Sequence, residues 1–243
     1  MKLFRYFRQD IREHPWFVLF ILTILFWLVP QSYRIIRIFF VFSLPILWLF
    51  GVFIIRKRRV LAIALFAMGI AFLVFLCTPG SEPDKSKLRE EYVQSLERYE
   101  GTRYIWGGEN RLGIDCSGLV RNGFIDANVR VGILSLNPKP IRHAFELWWN
   151  DCSARALQDG YRQFTTPLFK AESINSITNS LLAPGDIAIT PGGVHVLAYL
   201  GENRWIEADP EVMKTIIVLS SSDNVWLKFP AHVRRWTQLM DYP

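Results

Sequence analysis

The sequence predicts an α+β domain with N-terminal helices and an antiparallel sheet, preceded by a helical transmembrane region. Three observations indicate this order. The first third of the chain is apolar, a helical pattern with a cysteine at a helix start follows, and short strands joined by Gly-rich turns come last. We expect a membrane anchor over residues 1–78, a linker over 79–87 and a folded domain over 88–243.

The anchor contains three uncharged stretches, at residues 16–29, 38–55 and 60–77. The second and third are 18 residues long, which as helix is about 27 Å and close to the thickness of a bilayer core. The first is shorter, at 14 residues. No small-residue cleavage site follows it, so we expect about three retained transmembrane helices rather than a cleaved signal peptide.

Positive charge is concentrated around these stretches. Residues 1–80 hold ten of the 28 Lys and Arg but only two of the 22 acidic residues. The basic residues at 2–12 and the tetrabasic run at 56–59 fall on one side of a three-span layout, so the domain after Cys77 is expected outside the cytoplasm. If the first stretch does not span, the N-terminus changes side but the domain does not.

The domain lacks a basic excess, so no nucleic-acid partner is predicted.

Three cysteines are too few, and odd in number, for a disulfide framework. A bridge between Cys77 and Cys152 is possible outside the cytoplasm, and the alternative is that each cysteine is a small buried hydrophobe.

Cys116 is the strongest candidate nucleophile. A helix is expected over 117–127, after an amphipathic helix that begins near Leu88, and this places Cys116 at a helix N-terminus. Helix N-termini carry partial positive charge and free N–H groups, which favour a thiolate and stabilise an oxyanion.

His195 is the candidate base. Strands are expected at 187–189, 194–200 and 204–208, with a Gly-Glu-Asn hairpin turn between the last two. The hairpin brings His195 near Glu207, so that a carboxylate can orient the imidazole. Asp209 is close enough to be the alternative orienting residue.

Four segments resemble the NlpC-type cell-wall peptidases of the papain-like superfamily. They are Tyr-x-Trp-Gly-Gly from Tyr104, Asp-Cys-Ser-Gly-Leu-Val from Asp115, Leu-x-Pro-Gly-Asp ending at Asp186, and His-Val-x-x-Tyr-Leu-Gly from His195. They occur in the family's order and cover about residues 88–240. The resemblance implies a papain-like fold and a cysteine hydrolase that acts on bacterial peptidoglycan stem peptides, without metal or cofactor. Together with the predicted spans, this places the chain in the bacterial cytoplasmic membrane.

The resemblance also implies Cys116 as nucleophile, His195 as base and Tyr104 near the oxyanion; Asp115 and Ser117 are candidates for the oxyanion or substrate side. Two features depart from the family. Glu207 stands where His, Asn or Gln is usual, and the stretch between nucleophile and base is long. This insertion either shapes the substrate groove or covers core.

Two other functions stay open at this point. One keeps the thiol chemistry, as a hydrolase or acyltransferase, on another amide or a lipid-linked substrate. The other is a non-catalytic membrane scaffold that has kept the fold.

Overall fold

A computed structural model describes residues 15–150 and 152–240 of the chain. The chain divides into two compact units, with the boundary between Thr78 and Pro79. The basic residues at positions 2–12, on which part of the predicted orientation depends, lie outside the described residues, as does the very end of the predicted domain.

The first unit contains three apolar helices, α1 (Pro15–Leu28), α2 (Arg34–Ile54) and α3 (Arg59–Cys77). The indole of Trp48 in α2 stacks on Phe66 of α3 at 5.6 Å and donates a hydrogen bond to the Leu65 carbonyl at 3.2 Å. Within this unit, α2 and α3 therefore pack against each other. Pro45 lies inside α2 without ending it.

Two stretches are long and apolar enough to cross a membrane by length and composition, Arg34–Lys57 and Arg59–Cys77. The helix Pro15–Leu28 is apolar but shorter. The second and third predicted stretches are thus helices of spanning length, whereas the first, with 14 residues, is not.

The second unit opens with helices and continues into a sheet. Its helices are α4 (Lys85–Glu97), α5 (Cys116–Leu134), α6 (Pro138–Trp149) and α7 (Ala154–Gln158). A two-stranded ribbon, β1 (Glu109–Asn110) and β2 (Gly113–Ile114), precedes α5. Asp84 caps α4 by accepting from the backbone N–H groups of Ser86 and Lys87, so the first helix begins within the segment that we expected to be linker.

The main sheet has six strands, and all its pairs are antiparallel. The spatial order is β3-β8-β4-β5-β6-β7. The strands are β3 (Thr165–Ala171), β4 (Ile187–Ile189), β5 (Val196–Gly201), β6 (Arg204–Asp209), β7 (Lys214–Leu219) and β8 (Ala231–Trp236). The α+β class with an antiparallel sheet is therefore confirmed.

The core lies between α4, α5 and the sheet. Tyr92 of α4 is fully buried and donates to the Val120 carbonyl at 3.1 Å. Phe124 of α5 stacks on Trp236 of β8 at 4.4 Å. Asp186, the last residue of one family-like segment, is buried and pairs with Arg235 at 2.6 Å. These contacts fix α5, and therefore its first residue Cys116, against the sheet.

Candidate active site

Cys116 is the first residue of α5, as the sequence predicts, and Asp115 is the N-cap. The Asp115 carboxylate accepts from the Gly118 N–H at 2.6 Å and from the Ser117 hydroxyl at 2.9 Å through Oδ1. Its Oδ2 accepts from the Gly107 N–H at 2.8 Å. Asp115 and Ser117 therefore support the helix start and the loop before it. Their predicted contact with the oxyanion or substrate stays a prediction.

The loop that contains Gly107 packs backbone to backbone on α5. A Cβ on Gly118 would lie 2.2 Å from the Gly108 carbonyl oxygen, and a Cβ on Gly108 would lie 2.5 Å from the Gly113 oxygen. Both distances are far below van der Waals contact, so only glycine fits. The two Gly-containing motifs of the sequence thus meet each other directly at the nucleophile.

The surroundings of Cys116 disfavour its charged form. Burial, followed by the negative charge of Asp115, raises the pKa of the thiol from the ordinary 9.0 to about 12. Backbone N–H groups of Val196, Ser117 and Cys116 itself lower this pKa, but by less. The N–H groups of the helix start thus favour the thiolate, as expected, but burial of the side chain, which is 8 % exposed, and the acidic cap beside it outweigh them.

The contribution of Val196 shows that the start of β5 lies at the thiol. His195 is the residue immediately before this strand, whereas the sequence analysis placed it within the strand. Its N–H donates to the Thr190 hydroxyl at 2.9 Å, and the Thr190 N–H donates to the His195 carbonyl at 3.0 Å. This pair of bonds closes the Gly-rich turn and holds His195 in place.

The imidazole of His195 contacts Glu207, which lies in β6. The Nε2 and Oε2 atoms are 2.5 Å apart, and both residues are buried. This contact uses Nε2, so Nδ1 is the ring nitrogen that Glu207 does not occupy. The structure thus joins the predicted base to the predicted carboxylate.

Glu207 is buried completely, and burial raises the pKa of its carboxyl group. The negative charge of Asp209 also raises this pKa. The hydrogen bond and charge of His195, and a hydrogen bond from Asn224, lower it. Asn224 Nδ2 donates to Glu207 Oε1 at 2.7 Å. Each carboxylate oxygen therefore has a hydrogen-bond partner of its own.

Asp209, the alternative orienting residue, has other partners. Its Oδ1 accepts from the backbone N–H groups of Glu211 at 2.7 Å and Val212 at 3.3 Å, and so forms the turn after β6. The geometry favours Glu207 over Asp209 as the residue that orients His195.

Tyr104 lies close enough to Cys116 for the two side chains to interact electrostatically. Burial raises the pKa of its phenol, and the nearby charges of Cys116, Asp115 and Asp209 raise it further. Its backbone N–H donates to the Met213 carbonyl at 2.9 Å. The phenol therefore stays protonated beside the thiol, where it is a hydrogen-bond donor.

The sequence analysis missed two residues. Asn224 contacts Glu207, and the ring of Trp226 stacks on the imidazole of His195 with centroids 4.1 Å apart and planes at 23°. Asn224 precedes a short 3₁₀ helix, Val225–Lys228, as its N-cap. An Asn before a helical turn is a recognisable capping signal, but nothing in the sequence points from that cap to the active site.

Residues 101–235, more than half of the chain, match the model of the NlpC/P60 family. Two relatives are a Lysinibacillus sphaericus protein named dipeptidyl-peptidase 6 and an Escherichia coli K12 protein named murein DD-endopeptidase MepS/murein LD-carboxypeptidase. The first is 29 % identical over 126 residues, which are 51 % of this chain and 34 % of the relative. The second is 26 % identical over 154 residues, or 62 % of each chain. The match thus spans less than two thirds of either relative.

A similar solved structure is the P60 domain of an antigen from M. avium subspecies paratuberculosis. It is 20 % identical, covers 65 % of this chain and 98 % of that one, and has a TM-score of 0.39.

Proposed function

Because the chain belongs to the NlpC/P60 family of cysteine-type hydrolases, we propose that it hydrolyses amide bonds in peptidoglycan stem peptides with Cys116 as nucleophile. His195 is the base and Glu207 orients it. The observation that carries this proposal is the buried His195–Glu207 pair, because His195 directly precedes the strand whose Val196 N–H reaches the thiol. The two relatives named as peptidases support the substrate class.

The proposed reaction begins with a proton transfer. His195 accepts the Cys116 proton on Nδ1, and the resulting imidazolium is stabilised by the Glu207 carboxylate at Nε2. The thiolate adds to the amide carbonyl, and the tetrahedral intermediate collapses to a thioester as the imidazolium protonates the leaving amine. Water, deprotonated by the imidazole, then releases the acyl group.

The oxyanion of the tetrahedral intermediate needs hydrogen-bond donors close to the nucleophile. The backbone N–H groups of Cys116 and Ser117 at the start of α5, together with the protonated Tyr104 phenol, provide them in this proposal. Only the protonated phenol can serve in this role, because a deprotonated Tyr104 would repel the oxyanion.

We also propose that residues 1–78 anchor the chain in the bacterial cytoplasmic membrane. The two stretches of spanning length, and the packing of Trp48 between α2 and α3, support a helical hairpin. The basic run at 56–59 lies at its turn and favours the cytoplasm, which leaves the catalytic domain on the other side.

The test is a digest of purified peptidoglycan by the full-length chain in detergent, with reductant present. Mass spectrometry of the released peptides identifies the bond that is cut. Cleavage by the wild type and none by Cys116→Ala would support the proposal. If a correctly folded wild type cleaves only lipid-linked amides, the substrate is wrong, and if it cleaves neither, the catalytic proposal fails.

A further inference from the structure

We propose that Asn224 is a positioning residue of this active site: it holds the Glu207 carboxylate against His195 and, through its helix cap, sets the Trp226 ring on the imidazole. This inference rests on the proposed function. It concerns a segment, the 3₁₀ helix Val225–Lys228 and its cap, that lies outside the four family-like motifs.

The first step is the hydrogen bonding of the carboxylate. Glu207 is fully buried, and an ionised carboxylate that loses water must find donors in the protein. His195 binds Oε2 at 2.5 Å, and Asn224 Nδ2 binds Oε1 at 2.7 Å. If Asn224 did not donate, half of the carboxylate would be buried without a partner, and its protonated form would be favoured.

The second step is the orientation of the amide. The Oδ1 atom of Asn224 accepts the Trp226 N–H at 2.8 Å. This bond occupies the oxygen end of the side chain, so the NH₂ end is the one that faces Glu207. Ser, Thr and Asp cap helices as well as Asn does, but Asn also has the amide donor that reaches a carboxylate here.

The third step concerns Trp226. Its ring lies nearly parallel to the imidazole of His195, at 4.1 Å, and covers one of its faces. An aromatic face attracts a cation, so the ring favours the imidazolium that forms when the thiol is deprotonated. It also keeps water from that side of the His195–Glu207 hydrogen bond. Asn224 therefore positions both groups that contact the His195 imidazole, the Glu207 carboxylate and the Trp226 ring.

The test variant is Asn224→Asp, which keeps the capping oxygen but replaces the donor with a second acidic group. The matched control is Asn137→Asp. Asn137 caps α6 by accepting from the Lys139 N–H at 3.2 Å and donates to the Ser81 carbonyl at 2.8 Å, so the same substitution there also keeps a cap and loses a donor. Asn224→Ser is the uncharged second variant.

Two measurements distinguish a role in positioning Glu207 from a general loss of folding. The first is the pH profile of kcat/KM, and the second is the ¹³C titration of the Glu207 carboxyl in the glutamate-labelled full-length chain, assigned with Glu207→Gln. The titratable groups that act on Glu207 are His195 and Asp209. Both Asn224 variants should lower kcat/KM roughly 10- to 100-fold and move the acidic limb and the carboxyl midpoint to higher pH by about one unit.

An unchanged carboxyl midpoint in both folded Asn224 variants would overturn the inference, as would an equal displacement in Asn137→Asp. The carboxyl titration does not depend on the substrate. If the wild-type chain does not cleave peptidoglycan but the Asn224 variants still displace the Glu207 carboxyl midpoint, the role of Asn224 is supported although the proposed function fails.

A further variant, Trp226→Leu, removes the aromatic face but keeps a large apolar side chain. It should lower kcat/KM roughly 2- to 30-fold.

Discussion

The dependence of Cys116 on His195 is open to a direct chemical test, because the thiol is buried next to an acidic cap. Burial and the neighbouring charge of Asp115 raise the pKa of this thiol from 9.0 to about 12. At neutral pH such a thiol has roughly a thousandth of the thiolate of an ordinary cysteine, and only the thiolate reacts with alkylating reagents. In His195→Gln, which keeps a donor for Glu207 but cannot accept a proton, Cys116 should therefore alkylate roughly a thousandfold more slowly than an ordinary exposed thiol.

The assay is iodoacetamide alkylation of the full-length chain, followed peptide by peptide with mass spectrometry between pH 6 and 9. In the wild type, Cys116 should react faster than an ordinary thiol, because the proton passes to the imidazole. Cys77, which is exposed, is the control and should react equally in both chains. Equal rates at Cys116 in wild type and His195→Gln would refute the reasoning, since the imidazole would then have no part in forming the thiolate.

Three further predictions concern the same site. Glu207→Gln should lower kcat/KM about 10²- to 10⁴-fold without loss of the fold by circular dichroism, and an unaltered rate would contradict the assignment. In the wild type, the acidic limb of kcat/KM should lie above the usual carboxyl range: burial raises the pKa of Glu207, so its charge, and the activity, are lost at a higher pH as the pH falls. Gly118→Ala should destabilise the chain by about 1–3 kcal/mol in thermal unfolding, since its Cβ would overlap the Gly108 carbonyl, and a stability equal to wild type would show that the loop moves freely.

The local parts of this site could be predicted from the sequence. Asp115 before Cys116 is a capping pattern, and α5 begins where that pattern places it. The hairpin turn at Glu202 and Asn203, both with positive φ, sets β5 against β6 and brings His195 to Glu207. Each of these features depends on residues that are close together in the chain. The family resemblance, which rests on the same short motifs, is confirmed by the match over residues 101–235.

The parts that escaped prediction depend on tertiary contacts. Asn224 is 17 residues from Glu207, and the path between them crosses β7 and the loops on either side. Burial of the Cys116 thiol, which outweighs the N–H groups of the helix start, is also a tertiary property that the sequence does not display. The position of β8 between β3 and β4 is likewise a pairing of distant segments that no local pattern specifies.

The pKa values of Cys116 and Glu207 are both raised, which bears on how a buried nucleophile could react. Burial disfavours the thiolate of Cys116 and the carboxylate of Glu207 alike, so neither charge is stable by itself. The same low polarity strengthens the attraction between opposite charges. An imidazolium at His195 has Glu207 on its Nε2 and, in the proposed mechanism, the thiolate on its Nδ1, so one cation stabilises both anions. In the proposed mechanism the reactive thiolate therefore requires all three groups, and its reactivity is a property of the assembled site.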